Sequence, residues 1–317
     1  MNGIGLIFSW AGLLVLMAGP LSLPAQSPLE IQPVTRSGIS DRVAGGNGWS
    51  GGSQVSADGR WVVFVSQADN LVTNDLSRSK LGSYLDVFVR DLEEGKTVLA
   101  SVSPTSGGSG NGDSLGASLS ANGRYVVFAS EASDLVTNDT NNAGDIFIRD
   151  LENGQTTLVS VNSTGTGSGN GESTAPAIAP DGRYVAFVSI AGDLVEGDTN
   201  GVGDVFVRDT QMGVTTKASV NTGGTNVFES FGEPVITPDG RYVAFVGSKP
   251  VSAIDTNSAA SEVYVRDMVA KTMSWASSNV VLLFNPPTNA VQAVVRSYQP
   301  ALSDDGKFLA FKAMRPS

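Results

Sequence analysis

The chain has 317 residues, 41% of them hydrophobic, which is enough to bury a substantial core. Its 31 acidic and 20 basic residues give a net charge of −11, so a phosphate backbone or an anionic lipid surface would be repelled, and we expect no nucleic-acid partner. The sequence contains no cysteine and no histidine. This excludes thiol nucleophiles, Ser-His-Asp triads, imidazole bases and the usual zinc and copper sites.

The amino-terminal segment is uncharged from Met1 to Ser27 and contains an apolar run, followed by small residues and proline. Such a segment is typical of an export signal cleaved near Ala25. We therefore predict a signal peptide over residues 1–26, a repeat domain over residues 27–317, and a secreted or periplasmic product. The positive residues that usually open a signal are missing, so a retained membrane anchor is the alternative, and only that alternative predicts contact with a membrane.

A hairpin motif recurs five times along the chain at spacings of 58 to 66 residues, which indicates a structural repeat. Each copy places Asp-Gly or Asn-Gly between apolar segments, and this is the signature of a tight turn joining two strands, a and b. The copies are SADGRWVVFVS, SANGRYVVFAS, APDGRYVAFVS, TPDGRYVAFVG and SDDGKFLAFKA, which begin at Ser56, Ser120, Ala179, Thr237 and Ser303.

Two more strands are predicted after each of the first four hairpins. Strand c reads DVFVRD, DIFIRD, DVFVRD and EVYVRD, which are β-branched and aromatic segments. Strand d follows a short turn and reads TVLASV, TTLVSV, TTKASV and TMSWAS. Four antiparallel strands followed by a Gly-rich connection form one blade of a β-propeller. One phenylalanine per hairpin is then predicted to be buried between adjacent blades, namely Phe64, Phe128, Phe187, Phe245 and Phe311.

The hairpin followed by DVFVRD resembles the WD-like, SPDG-type repeats of the TolB-like β-propeller family, from about Ile31 onwards. The resemblance implies an all-β propeller of four-stranded antiparallel blades, and the repeats supply about five, four complete and one partial. Because members of the family often close with six or more blades, two alternatives remain. In the first, the segment Val34 to Ile39 joins the hairpin at Asp305 to form the fifth, incomplete blade. In the second, the chain is truncated from a six-bladed type.

Propellers of this kind occur as binding modules, as periplasmic assembly factors and as lids of prolyl-oligopeptidase-like enzymes. We predict an exported, non-enzymatic module that binds a protein or glycan at its rim. The alternatives are the lid or substrate-gating part of such a hydrolase, whose catalytic domain is absent here, and a periplasmic assembly factor that contacts an envelope lipoprotein. Candidate rim contacts are Trp49, Phe228 and Phe231, in the connections between blades, and the alternative is a Gly-rich connection in which these aromatic residues have no binding role.

The loops between strands b and c carry candidate metal ligands in the second and third repeats. Oxygen-bearing side chains recur there at the spacing D-x4-D-x-N-x3-D. Alternating oxygen ligands in a Gly/Asn-rich loop suit calcium, but the same residues also build Asx turns, so a calcium site and a plain turn are both open. The candidates are Asp134, Asp139, Asn141 and Asp145 in the second repeat and Asp193, Asp198, Asn200 and Asp204 in the third.

An Arg-Asp pair ends strand c in four repeats, and its regular recurrence favours a structural role over a catalytic one. We expect the aspartate to accept hydrogen bonds from the following turn and the arginine to pair with a neighbouring acid. The pairs are Arg90/Asp91, Arg149/Asp150, Arg208/Asp209 and Arg266/Asp267.

Overall fold

The computed structural model describes residues 45–75, 78–79, 82–220, 230–252, 255–278 and 296–314. The predicted signal peptide, the segment Val34 to Ile39, Phe228 and the side chain of Phe231 lie outside the described residues. The proposed completion of the last hairpin by the amino-terminal segment therefore stays a prediction.

Four sheets of four antiparallel strands follow one another along the chain, and a fifth sheet contributes two strands. This arrangement confirms the predicted all-β fold with four complete blades and one partial blade. The first sheet contains β1 (Ser50–Val55), β2 (Trp61–Ser66), β5 (Asp86–Asp91) and β6 (Lys96–Leu99), and β3 (Arg78–Ser79) and β4 (Gly82–Ser83) pair within its loop. The second sheet contains β7 (Ser114–Leu119), β8 (Tyr125–Ser130), β9 (Asp145–Asp150) and β10 (Gln155–Leu158).

The later sheets repeat the same order of strands. The third contains β11 (Ser173–Ile178), β12 (Tyr184–Ser189), β13 (Asp204–Asp209) and β14 (Val214–Lys217). The fourth contains β15 (Ser230–Ile236), β16 (Tyr242–Ser252), β17 (Asp255–Asp267) and β18 (Thr272–Trp275), and the fifth contains β19 (Arg296–Leu302) and β20 (Leu309–Met314). The first strand of each sheet after the first packs against the first three strands of the preceding sheet, as in a propeller.

The first strand of every sheet is interrupted by a β-bulge, where its pairing with the second strand shifts by one residue. In the first two sheets the bulge contains a glycine with positive φ, Gly52 or Gly116. In the third and fifth sheets the non-glycine residues Ala175 and Gln299 adopt positive φ at this point. A bulge bends its strand and increases its twist, so the same local distortion recurs in each repeat.

The core consists of separate clusters between neighbouring sheets. Valines of the first sheet, including Val63 and Val87, pack against Phe128 and Phe147 of the second, and this contact recurs between the second and third sheets and between the third and fourth. Within a sheet, the aromatic residues of the second and third strands lie opposite each other and stack, as Phe128 and Phe147 do at a centroid separation of 6.0 Å. The sheets are therefore held together by interdigitating side chains.

The predicted burial is confirmed for Phe64, Phe128, Phe187 and Phe245, which are at most 2% exposed. The predicted place between adjacent sheets is confirmed for the last three of them. Phe64 differs in its surroundings, because the cluster that contains it is formed by residues of the first sheet. Phe311 is only half-buried, which corrects the prediction for the fifth hairpin. Its sheet contributes only two described strands, so it has fewer neighbours in its own sheet.

The fourth strand of each sheet is shorter than predicted. In the second sheet it ends at Leu158, whereas the sequence predicts a strand over Thr156 to Val161. The backbone N–H of Val159 still bonds to the carbonyl of Ile146, after which Val161 forms an isolated bridge with Ser168. The chain leaves the ladder here because the hydroxyl of Ser160 turns to a buried carboxylate, described below.

Candidate functional site

The two edges of the sheets differ in chemistry. We call the edge formed by the turns between strands one and two and between strands three and four the hairpin edge. The opposite edge, formed by the loops between strands two and three and by the connections between sheets, is called the loop edge. The hairpin edge is nearly identical in every sheet, whereas the loop edge varies, so the loop edge contains the candidate sites.

The aspartate that ends the third strand anchors the hairpin edge. Asp150 accepts hydrogen bonds from the backbone N–H groups of Glu152 and Asn153, as the sequence predicts. The expectation that the preceding arginine pairs with a neighbouring acid is corrected, because Arg149 donates to Thr156 Oγ1. The arginine that binds Asp150, at 2.7 Å, is Arg124 of the Asn-Gly turn. The Arg124 hydrogen bonds lower the pKa of Asp150. The same arginine–aspartate pair forms in the other sheets as Arg60/Asp91, Arg183/Asp209 and Arg241/Asp267.

The hairpin edge also joins consecutive sheets. The guanidinium of Arg124 lies 5.0 Å from the ring centroid of Tyr125, a cation–π contact. The same ring meets Gly182 in the turn of the third sheet, where a Cβ would lie 2.3 Å from Tyr125 Cδ2. Equivalent pairs are Trp61/Gly123, Tyr184/Gly240 and Tyr242/Gly306. The repeated side chains of this edge are thus engaged in contacts that hold the fold.

A buried acid in the third strand of each of the first four sheets binds a serine that follows the fourth strand, and in the first three sheets this acid is the first residue of its strand. In the second sheet Ser160 Oγ donates to Asp145 Oδ1 and accepts from the backbone N–H of Ile146 at 3.0 Å. This clasp closes the end of strands three and four next to the loop edge. Its other copies are Asp86 with Ser101, Asp204 with Ser219, and Glu262 with Ser277.

In the third sheet a lysine satisfies the remaining acidic oxygens. Lys217 Nζ lies 2.8 Å from Asp198 Oδ1 and 2.7 Å from Asp204 Oδ2, and both carboxylates are almost fully buried. Asn200 Nδ2 donates to the same Asp204 oxygen at 2.6 Å. The ammonium group therefore occupies the space between the two carboxylates, where the sequence left a calcium site and a plain turn as alternatives.

In the second sheet the equivalent position is held by Leu158. Leu158 pairs with Phe147 just as Lys217 pairs with Phe206, so the two side chains have the same register. Asp139 Oδ2 and Asp145 Oδ2 have no hydrogen-bond partner within the described part of the chain. Burial, together with the negative charge of Asp139, raises the pKa of Asp145 to about 7. Burial also raises the pKa of Asp139.

The fourth sheet places a third residue type at this position. Trp275 pairs with Tyr264 in the equivalent register, and its indole N–H donates to Glu262 Oε2 at 3.2 Å. The acid bound by the serine thus receives a hydrogen bond from an ammonium group in the third sheet, at Asp204, and from an indole in the fourth, at Glu262. The sequence analysis missed Lys217 and Trp275. The exchange of leucine for Lys217 was visible in the aligned d strands, whereas Trp275 stands one position later in that alignment and only the strand register places it here.

The other candidate ligands have different contacts. Asp134 Oδ1 accepts from the backbone N–H of Asn111, and Asp193 Oδ1 accepts from that of Asn170, so each tethers a connection between sheets. Asn141 Oδ1 accepts from Ala143 N, and Asn200 Oδ1 accepts likewise from Val202 N, which are Asx turns. Among the described residues there is no group of three or more acidic side chains placed to hold a metal. The predicted four-residue sites are therefore reduced to pairs of aspartates.

The loop edge presents different side chains on an identical backbone. The residue before the first strand accepts a backbone hydrogen bond from the residue after the second strand, at 2.8–3.0 Å in the first three sheets. The pairs are Trp49/Gln67, Asp113/Glu131 and Glu172/Ile190. Trp49 is 59% exposed and Ile190 57% exposed, and both are large apolar side chains. The position before the first strand is thus aromatic in the first sheet and acidic in the next two, whereas the position after the second strand is polar, acidic or aliphatic according to the sheet.

Solved structures to which the chain is similar include TolB from Acinetobacter baumannii, with 15% identity, a TM-score of 0.45 and 84% of this chain covered. Oligogalacturonate lyase from Vibrio parahaemolyticus has 14% identity, a TM-score of 0.48 and 82% coverage. A prolyl endopeptidase has 12% identity, a TM-score of 0.48 and 79% coverage. The matches span 58%, 57% and 31% of those three chains, respectively. TolB is thus among the similar structures, as the repeats predict, and the similarity concerns the fold.

No family model matches the sequence, and no curated protein matches it. No helix among the described residues is long and apolar enough to cross a membrane.

Proposed function

We propose that this chain is an exported, non-enzymatic β-propeller module that binds a protein or glycan through its loop edge. The supporting observation is the contrast between the two edges. The repeated charged and aromatic side chains of the hairpin edge are engaged in ion pairs and in contacts between sheets. The loop edge holds two paired backbone positions whose side chains differ from sheet to sheet, and the large apolar side chains of Trp49 at one position and Ile190 at the other are exposed.

Exposed aromatic and aliphatic side chains at fixed positions are suited to a binding surface. Aromatic residues bury a large area and are enriched at interfaces. In the second sheet both of these positions are acidic, Asp113 and Glu131, and Glu172 adds an acid beside Ile190 in the third. This favours a partner with apolar groups and a basic or hydroxyl-rich surface, and the chain's charge of −11 disfavours an anionic one.

A lack of enzymatic activity is proposed from the sequence. With no histidine and no cysteine, the chain cannot build the common nucleophile–base pairs by itself. In both predicted alternatives the propeller acts together with another protein. It is either the lid of a prolyl-oligopeptidase-like hydrolase or an assembly factor that contacts an envelope lipoprotein. If the chain is cross-linked to a separate catalytic domain, the first role is identified. If it is cross-linked to a lipoprotein, the second role is identified.

Site-specific photo-cross-linking tests the proposed surface. In the test variant, a photoreactive phenylalanine analogue replaces Trp49 at the loop edge. In the matched control, the same analogue replaces Gln211, which is exposed at the hairpin edge. Both variants are full-length chains expressed in the native cells. We expect one defined adduct from position 49 in the extracellular or envelope fraction, and none from position 211. Equal labelling from both positions, or recovery of the chain in the cytosol alone, would contradict the proposal.

A further inference from the structure

The second sheet contains two adjacent carboxyl groups that this part of the structure leaves unsatisfied. Asp145 is completely buried and Asp139 is half-buried, and one oxygen of each has no partner within the described residues. The other oxygens are occupied by the hydroxyls of Ser160 and Ser168. Two ionised carboxylates have only acceptors to offer each other, and buried charges are normally paired or bound to a metal. The pair is therefore completed either by a proton shared between the two carboxyl groups or by a cation from elsewhere.

The third sheet identifies the kind of group that this position accepts. The equivalent aspartates, Asp198 and Asp204, hold the ammonium group of Lys217 between them. The backbone registers of the two sheets agree, and the residue in place of Lys217 is Leu158. The second sheet thus has the same acidic position without the lysine that supplies the cation in the third.

We propose that Asp139 and Asp145 bind a divalent metal cation of the calcium class, in the position that the Lys217 ammonium group occupies in the third sheet. Two carboxylates supply two negative charges, which a divalent ion neutralises fully. The lysine lies 2.7–2.8 Å from its oxygens, and calcium–oxygen distances are about 2.3–2.6 Å, so small side-chain movements would suffice. Neutral oxygens and water would complete the coordination, with Ser168 Oγ, 3.2 Å from Asp139 Oδ1, as one candidate ligand.

The proposed site has a route to solvent on one side. Leu158 is buried in the cluster between the first and second sheets and covers the pair from the core. Asp139 belongs to the loop edge, and its neighbour Thr140 is exposed. An ion would therefore enter through the loop, reaching Asp139 before Asp145.

Thermal unfolding of the full chain with calcium chloride, magnesium chloride or potassium chloride tests the proposal, together with calorimetric titration after chelator treatment. A ligand that binds only the folded state raises Tm, and we expect a rise of roughly 5 °C at a hundredfold excess of calcium over Kd. Asp145→Asn should abolish both the rise and the heat of binding. Leu158→Lys should also abolish both, because it supplies the cation that the third sheet already has.

Asp134→Asn is the matched control, because Asp134 lies in the same loop but binds the backbone of Asn111, and its calcium response should be unchanged. Circular dichroism establishes that each variant is folded. If Leu158→Lys does not fold, Asp139→Asn replaces it and should likewise abolish the response. A wild-type Tm that is unmoved by about 10 mM calcium, above the range of weak extracellular sites, would overturn the proposal. So would a response that persists in Asp145→Asn, or one that occurs with potassium and not with calcium.

Discussion

Lys217 holds in the third sheet the strand position that Leu158 holds in the second. Because of this one difference in a repeated strand, the carboxylate pair of the third sheet has an internal counter-ion and the carboxylate pair of the second sheet has none from this position. The backbone around the two positions is the same, including the serine that clasps the acid. The repeat therefore provides a natural comparison within one chain, in which the chemistry varies and the geometry does not.

Removing the internal counter-ion should destabilise the third sheet. Lys217→Leu leaves Asp198 and Asp204 buried beside each other, and breaking a buried ion pair by deleting one partner costs about 3–5 kcal/mol. Urea denaturation should show this loss in the free energy of unfolding. Lys307→Leu is the control, because that lysine pairs with Asp305 on the exposed surface and should contribute less than about 1 kcal/mol. Equal losses of unfolding free energy in the two variants would mean that the buried ion pair contributes no more to stability than the exposed one.

The contact between Gly182 and Tyr125 should be sensitive to a single methyl group. Gly182→Ala must adopt a φ of 82° and place its Cβ against the tyrosine ring, and we expect a loss of about 3 kcal/mol or more, combining backbone strain with overpacking.

The equivalent turn of the first sheet separates these two costs. Gly59 has a φ of 77°, but a Cβ there would meet nothing within 4 Å. Gly59→Ala should therefore lose only the backbone contribution, about 1–2 kcal/mol. Chemical denaturation of both variants measures the difference, and identical losses would show that the contact between the sheets contributes nothing.

The core should respond to truncation according to burial. Phe128→Ala removes a ring that is completely buried between the first and second sheets, and should cost about 3–5 kcal/mol. Phe311→Ala removes a half-buried ring in the fifth sheet and should cost clearly less. A larger loss at Phe311 in equilibrium unfolding would show that the fifth sheet contributes more to stability than its described contacts indicate.

Acid should destabilise the protein through the hairpin edge. Hydrogen bonds from arginine lower the folded-state pKa of Asp91, Asp150 and Asp209. The unfolded state, in which the pKa is about 3.9, then binds more protons at low pH. The stabilisation is therefore complete above about pH 4 and is lost as the pH falls through the folded-state pKa values.

Arg124→Met tests this assignment, because it removes the main cause of the lowered pKa of Asp150. The Tm of the variant should fall less than that of the wild type between about pH 5 and pH 2. The exposed Arg296 provides the control, and Arg296→Met should follow the wild-type profile. An unchanged acid profile in Arg124→Met would exclude this ion pair as a source of the pH dependence.

The sequence by itself determined the architecture of the repeat. Asp-Gly and Asn-Gly turns, alternating apolar residues and a repeat length near sixty residues specify four-stranded units through local rules of turn geometry and strand periodicity. They also located the buried phenylalanines of the first four hairpins and the aspartates that accept hydrogen bonds from the following turns. Each of these features depends on residues close together in the chain, which is why a sequence pattern can reveal them.

The tertiary structure decided which side chains meet across larger distances. The pairing of Arg124 with Asp150 joins residues 26 positions apart, and that of Lys217 with Asp198 joins residues 19 apart. Spacing suggested that Asp193 belongs with Asp198 and Asp204, but the fold turns Asp193 towards the backbone of Asn170. Strand register sets these meetings, because it determines which side chain of the fourth strand lies beside the acid that begins the third. The sequence thus predicted where acids concentrate, and only the pairing of strands showed that the third sheet has its own cation while the second does not.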